Sequence, residues 1–379
     1  MTIASTNFII KTAGICNLNC SYCYMYNMGD TTYLKKPKVM SREIADHTLN
    51  RIYEYASRNH LKDVNLIIHG GEPLLAGVEW TRWFIEEAKS RAPSGLTVNM
   101  SIQTNGTLLN SEWYALFKLH TIGLGVSFDG PPQWHDRYRV DHAGRGSYDK
   151  VRRSIDQLRE LGSSAPNWGV LVVANPEHSG VTIYEHLLEL GVTTMDFLWP
   201  DYHHDLQPPW PSGSLARYYK ELFDAWYENK NADVSIRWFE HAMQGILSGQ
   251  STIDALGPHP ITHVVIETDG SLEPLDVIRT CGDGMTRLNL NVTNHDIEDL
   301  RATNLFQECI NNQALLPETC QSCSALDICG GGYMPHRFGN AKGFQNPSVH
   351  CLDLFDTLQH ISTRIQSDLQ EAEIAFSLV

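Results

Sequence analysis

The chain has 379 residues, 42% of them apolar, and a formal net charge of −15. Such a length buries a sizeable core, with room for one large domain and a smaller one. The acidic balance excludes a general nucleic-acid-binding role, which rests on clustered Lys and Arg, and no run approaches the roughly eighteen apolar residues that span a bilayer. The opening residues, Met1 to Asn7, lack a basic and then apolar signal, so a cytoplasmic enzyme with no membrane partner is expected.

The first 200 residues alternate short apolar runs with helical patterns, the rhythm of βα units that build a parallel sheet. Strands are predicted at Phe8–Lys11, Val64–His69, Leu96–Gln103, Gly123–Phe128, Trp168–Ala174 and Met195–Trp199. Ser41 stands where an N-cap opens the pattern running through Ile44 and Ile52. The series Val151, Ile155, Leu158 and Leu161 stops at Gly162, a favourable residue just past a helix end. Six such units predict a partial (β/α)6 TIM-like barrel, with its site at the C-terminal strand ends. Helices at Leu215–Glu228 and Ile236–Leu247, a strand pair around Thr268-Asp269-Gly270, a cysteine-rich segment to Cys351 and a terminal amphipathic helix over Asp353–Ile374 follow. The expected divisions are 1–235 for the barrel, 236–262 for a bridging helical segment, 263–351 for a cysteine-rich domain and 352–379 for the last helix.

Nine cysteines in a chain of this kind argue for metal ligation or catalysis rather than disulfides. They fall in two clusters: Cys16, Cys20 and Cys23, then Cys281, Cys309, Cys320, Cys323, Cys329 and Cys351. The first three come off one loop directly after the first strand. Three thiolates leave one iron of a four-iron cube open, so another group must complete that site. A three-Cys zinc site with His69 as fourth ligand is the bland alternative. Cys320, Cys323, Cys329 and Cys351 make a complete set of four, which by itself suits zinc or an iron–sulfur cluster equally.

The run Cys16-Asn-Leu-Asn-Cys20-Ser-Tyr22-Cys23 resembles the signature of the radical S-adenosylmethionine (SAM) superfamily, CxxxCxxC with an aromatic residue before the last Cys. The resemblance implies a [4Fe-4S] cluster on Cys16, Cys20 and Cys23, whose open iron is chelated by SAM, with Tyr22 beside the adenine. Gly70-Gly71-Glu72-Pro73 at the end of the second strand resembles the superfamily's GGEP motif. Gln103-Thr104-Asn105-Gly106, Val126-Ser127-Phe128-Asp129-Gly130 and the His135-Asp136-x-x-Arg139 pattern close later units. By resemblance, Gly70, Gly71, Glu72, Asn105, Ser127 and Arg139 bind SAM, and the bound cofactor is cleaved to a 5′-deoxyadenosyl radical that abstracts hydrogen.

The C-terminal cysteines resemble the SPASM extension of peptide-modifying members, which carries auxiliary clusters. Two positions depart from that pattern: Leu275 and Tyr333 stand where the family often has Cys. One auxiliary [4Fe-4S] cluster, on Cys320, Cys323, Cys329 and Cys351, is therefore expected. Asp276 falls on the register of the general base of sulfatase-maturing relatives, although an Asp at a strand end also serves ordinary turns. The run Cys329-Gly-Gly-Gly-Tyr-Met-Pro-His336-Arg337-Phe and its continuation to Cys351 look like the FxsB and GrrM type of three-residue cyclophane synthase. That resemblance implies a ribosomally made precursor peptide as substrate, hydrogen abstraction from a side-chain Cβ, a carbon–carbon cross-link to an aromatic ring, and an external one-electron reductant such as flavodoxin or ferredoxin. Formylglycine formation of the anaerobic sulfatase-maturating type is the alternative, and a non-catalytic iron–sulfur or zinc scaffold the remote one.

Overall fold

In the computed structural model, residues 4–249, 251 and 253–377 are described. The chain forms two compact units: Met1–Leu171 with Ile261–Ile310, and Val172–Pro260 with Asn311–Val379.

The first unit opens with β1 (Asn7–Ala13), α1 (Arg42–Arg58), β2 (Asp63–Gly70), α2 (Val78–Ser90), β3 (Thr97–Thr104), α3 (Ser111–Leu119), β4 (Gly123–Ser127), α4 (Pro132–Tyr138) and α5 (Tyr148–Leu161), and reaches the start of β5 (Trp168–Val173). Strands β1 to β5 pair in parallel with their sequence neighbours. Local signals set the boundaries: Ser41 accepts the Ile44 N–H at 3.1 Å and caps α1, and Gly162 ends α5 at φ 50°. Phe8, Ile10, Leu66, Ile68, Ile102 and Val126 are buried at alternate positions, so one face of the sheet is fully buried and the other only partly.

The second unit holds α6 (Gly180–Glu189), β6 (Thr194–Leu198), α7 (Ser214–Asn229), β7 (Ser235–Ile236) and α8 (Arg237–Ser248). The chain then returns to the first unit. There β8 (Val264–Ile266) pairs in parallel with β1 and antiparallel with β9 (Leu272–Glu273), and a helical turn over Asp276–Cys281 precedes α9 (Ile297–Arg301) and α10 (Asn304–Ile310). The cysteine-rich stretch closes the second unit with α11 (Glu318–Gln321), α12 (Leu326–Cys329) and α13 (Cys351–Ser377). Helix α13 packs on α7, where Asp224 accepts from His360 at 2.8 Å and from Arg364 at 2.6 Å. Trp199, just past β6, stacks on Tyr219 of α7 at 4.3 Å between ring centroids.

The six strand–helix repeats and the α/β class are those read from the sequence. Among the described residues no helix is long and apolar enough to cross a membrane.

Candidate functional site

The loop after β1 carries Cys16, Cys20 and Cys23, and backbone bonds shape it locally: Cys23 N–H donates to the Cys20 carbonyl at 3.0 Å and Tyr26 N–H to that of Cys23 at 3.2 Å. The Cys16 sulfur accepts from Leu18 N–H at 3.3 Å. Burial pushes the Cys16 thiol up to about 12 and the Cys23 thiol up to about 11, with Cys20 adding to both. Burial likewise raises Cys20. Three thiols within electrostatic reach of one another resist ionising together unless a cationic group neutralises them, which is what a metal cluster does.

Glu72 ties this loop's neighbours together. It is wholly buried and accepts from Leu74 N–H at 3.0 Å, Thr104 Oγ1 at 2.7 Å and Asn105 N–H at 2.7 Å. Its carboxylate is thus spent on the chain's own β2 and β3 loops. Asn105, held in place by it, directs Nδ2 to Asn17 at 2.8 Å and toward the Cys16 sulfur at 3.6 Å. Gly70 and Gly71 have no room for a side chain: a Cβ at Gly70 (φ 153°) would stand 2.2 Å from the Ala13 carbonyl oxygen, and one at Gly71 would stand 1.8 Å from the Tyr26 hydroxyl.

On the β4 side, Tyr22 donates to Asp129 and accepts from Arg139 Nη1 at 2.8 Å. Arg139 is 6% exposed, and its Nε has no hydrogen-bond partner among the described residues. Ser127 accepts from Gln103 at 2.9 Å. His135 is fully buried between Asp129 N–H, which donates to Nδ1 at 3.2 Å, and Ser147 Oγ at 2.9 Å from Nε2.

Asp276 lies at the start of the turn after β9 and meets Lys11 of β1. Lys11 Nζ donates to Asp276 Oδ2 and also stands 3.0 Å from Tyr24 OH and 3.1 Å from His69 Nδ1. Tyr24 OH donates to the same Oδ2 at 2.6 Å, so Oδ1 has no partner among the described residues. Burial pushes the Asp276 carboxyl up, but Lys11, His69 and Arg279 outweigh it and hold the group well below the usual carboxylate range. His69 Nδ1 faces both the Lys11 ammonium and the Gly70 carbonyl oxygen, each at 3.1 Å. Burial, then Lys11, keeps His69 neutral, with its pKa lowered to about 3. Arg279, itself unexposed, steadies the turn through Asp276 O at 3.0 Å, Glu267 at 2.7 Å and Glu273 at 3.1 Å.

In the second unit, α11 carries Cys320, α12 carries Cys329 and Cys351 starts α13. Gly330, Gly331 and Gly332 follow with φ of 61°, 83° and 72°, a left-handed run that only glycine adopts without strain. This run turns the chain sharply away after Cys329. Burial pushes the Cys329 thiol up to about 12, and Cys351, Cys320 and Cys323 add to the effect, so the four thiols share one neighbourhood. Tyr333 stands edge-on to His336 at 5.1 Å, while Leu275, in the first unit, is 2% exposed in its core.

Both thiol sets fit iron–sulfur clusters better than single ions. Among the described residues no three His, Cys, Asp or Glu side chains gather closely enough to ligate one metal ion. A tetrahedral zinc ion draws its four ligands into one tight shell, whereas each thiolate of a cluster binds its own iron. His69, the bland fourth zinc ligand, is engaged by Lys11 instead. The buried Arg139 Nε, without a partner among the described residues, and the glycine floor at 70–71 fit a polar cofactor beside the first thiol set. The sequence reading named the cysteines, Tyr22, Gly70, Gly71, Glu72, Asn105, Ser127, Arg139 and Asp276. It missed Lys11, Tyr24 and Tyr26. A lysine inside an otherwise apolar strand was the one available signal for the first.

The sequence model of the radical SAM superfamily matches residues 10–179. Curated relatives include a cysteine-type anaerobic sulfatase-maturating enzyme of Clostridium perfringens, 28% identical over 86% of this chain and 88% of the relative. A serine-type anaerobic sulfatase-maturating enzyme of Klebsiella aerogenes is 28% identical over 89% and 81%. Among solved structures, native anSMEcpe with bound AdoMet and Cp18Cys peptide superposes with a TM-score of 0.82 at 24% identity, covering 97% of this chain and 99% of that one. Streptococcus suis SuiB bound to precursor peptide SuiA gives 0.60 at 15%, covering 92% and 76%. These findings overturn the cyclophane-synthase expectation: the named relatives that span nearly the whole chain are sulfatase-maturating enzymes, and the short C-terminal run that pointed elsewhere is outweighed by full-length similarity. The three-thiol loop and the glycine floor both fall within residues 10–179, the segment that is similar to the radical SAM superfamily.

Proposed function

We propose that this protein is a radical SAM oxidoreductase that oxidises the side chain of a cysteine or serine in a peptide to formylglycine, the chemistry for which its sulfatase-maturating relatives are named. The observation that carries this reading is Asp276: a buried carboxylate bonded through one oxygen to Lys11 and Tyr24, with no hydrogen bond to its other oxygen among the described residues.

A [4Fe-4S] cluster and SAM, when bound, supply the abstraction of a hydrogen atom from the substrate's Cβ. Cys16, Cys20 and Cys23 hold that cluster. The floor at Gly70 and Gly71 admits the cofactor close to the backbone, and Arg139, fixed by Tyr22, presents its free Nε. Asp276 accepts the proton of the substrate's thiol or hydroxyl at Oδ1. Cys320, Cys323, Cys329 and Cys351 would hold an auxiliary [4Fe-4S] cluster, which would supply a one-electron acceptor for the oxidation, and an external one-electron donor such as flavodoxin or ferredoxin would serve the first cluster. With a serine substrate the two-electron oxidation would give the aldehyde directly; with a cysteine substrate it would give a thioaldehyde, which water would then hydrolyse to the aldehyde with release of hydrogen sulfide.

Anaerobically reconstituted protein, SAM, a reductant and two sulfatase-derived peptides, one with Cys and one with Ser at the target position, form the test. Deoxyadenosine release with an aldehyde-bearing peptide supports the proposal and shows which residue is preferred. Deoxyadenosine release with neither peptide altered removes the formylglycine assignment while leaving the SAM chemistry.

A further inference from the structure

Tyr26 lies three residues past Cys23 and has no role in the reading above. Its ring packs edge-on against Tyr33, with centroids 4.7 Å apart at 78°, which fixes the direction of its hydroxyl. That oxygen is buried and has no hydrogen-bond partner among the described residues. It lies where a Gly71 Cβ would be, 1.8 Å from that position, and Cys16 and Cys23 are within electrostatic reach of it. The hydroxyl therefore stands between the thiol loop and the glycine floor.

A buried phenol nearly always finds an acceptor. The negative groups that act on it most strongly are the Cys16 and Cys23 thiols, ahead of the Glu267 carboxylate. The Gly71 N–H and Glu72 N–H already take the carbonyls of Ala13 and Ile15, at 2.8 and 2.9 Å. The lack of a side chain at Gly71 is what leaves space for the Tyr26 oxygen.

We propose that the Tyr26 hydroxyl donates a hydrogen bond to a sulfur of the cluster held by Cys16, Cys20 and Cys23, and thereby raises that cluster's reduction potential. Hydrogen bonds to cluster sulfurs stabilise the more negative, reduced state. Tyr26 is thus a tuning residue that brings a low-potential cluster within reach of its electron donor. The inference rests on the cluster assignment made above.

The test is Tyr26→Phe in the full reconstituted protein, which keeps the ring against Tyr33 and removes only the hydroxyl. A redox titration followed by electron paramagnetic resonance reads the cluster whose signal shifts on adding SAM. The expected result is unchanged iron content, unchanged SAM affinity and a midpoint potential more negative than that of the unsubstituted protein. An unchanged potential overturns the proposal. So does an unchanged potential with weakened SAM binding, which would assign the hydroxyl to SAM. Fluorotyrosine at position 26 keeps ring and hydroxyl but donates more strongly, so it should shift the potential upward; no shift there overturns the idea even if the Phe variant fails to fold. Failure of the cluster assignment itself looks different: iron would then stay at about eight per chain, rather than fall to about four, after Cys16, Cys20 and Cys23 are all replaced by Ala.

Discussion

Lys11 of β1 and Asp276 of the turn after β9 form an ion pair hidden from solvent, with side-chain exposures of 0% and 6%. A buried pair of this kind costs desolvation that its attraction only partly repays, yet breaking it strands one charge. Lys11→Met should therefore destabilise the first unit by about 3–5 kcal/mol. Adding Asp276→Asn to it should recover much of the loss, because the stranded charge is gone. Anaerobic chemical denaturation measures both; a neutral Lys11→Met would show that the pair is not structural.

Asp276→Asn keeps the size of the side chain and removes its basicity. SAM cleavage should continue, while peptide oxidation falls about 100- to 10,000-fold, the usual share of general-base assistance. Undiminished product from a folded variant would take Asp276 out of the reaction. Because Lys11 holds the carboxyl below its ordinary 3.8, the group is ionised at every working pH, so it contributes no acid limb to the rate profile near neutrality. The stability that the pair supplies is present above pH 3.8 and is lost as pH falls below it.

Gly71→Ala places a methyl 1.8 Å from the Tyr26 oxygen and 2.5 Å from the Ile15 carbonyl oxygen. The tyrosine and the Cys16 strand-end must both give way, at a cost of about 1–3 kcal/mol. Weakened SAM binding by equilibrium dialysis, with a lower melting temperature, is the expected pair of results.

His135 is unexposed, and burial, followed by Arg139, lowers its pKa from 6.5 to about 2. The unfolded chain therefore binds one more proton here than the folded chain between those values. Folding stability should fall on acidification through that window, by about 1.4 kcal/mol per pH unit from this group. His135→Gln should flatten the slope of stability against pH, and an unchanged slope would locate the proton uptake elsewhere.

Two four-iron clusters predict about eight irons per chain. Cys329→Ala should lower this to about four without touching the SAM-responsive signal. Iron analysis near twelve in the unsubstituted protein would show that Cys281, Cys309 or other ligands hold a third cluster.

The elements that local chemistry specifies were legible. The Ser41 cap, the Gly162 stop and the six apolar runs are short-range signals, and the chain obeys them. The thiol loop was legible for the same reason, since three cysteines within eight residues leave little geometric freedom. The C-terminal motif misled about the product because a run of about twenty residues describes its own loop and says little about which peptide atoms meet the radical.

The sequence by itself determined the strand–helix order and the two thiol sets, because caps, periodicity and cysteine spacing act over a few residues. Only the tertiary structure decided the surroundings of Asp276. Lys11 and His69 become neighbours through the parallel register that pairs them across β1 and β2, and Tyr24 and Asp276 reach them from positions 24 and 276. No periodic pattern links those four positions. Their proton affinities depend on burial and on charges brought together by the sheet, and neither exists until the chain has folded.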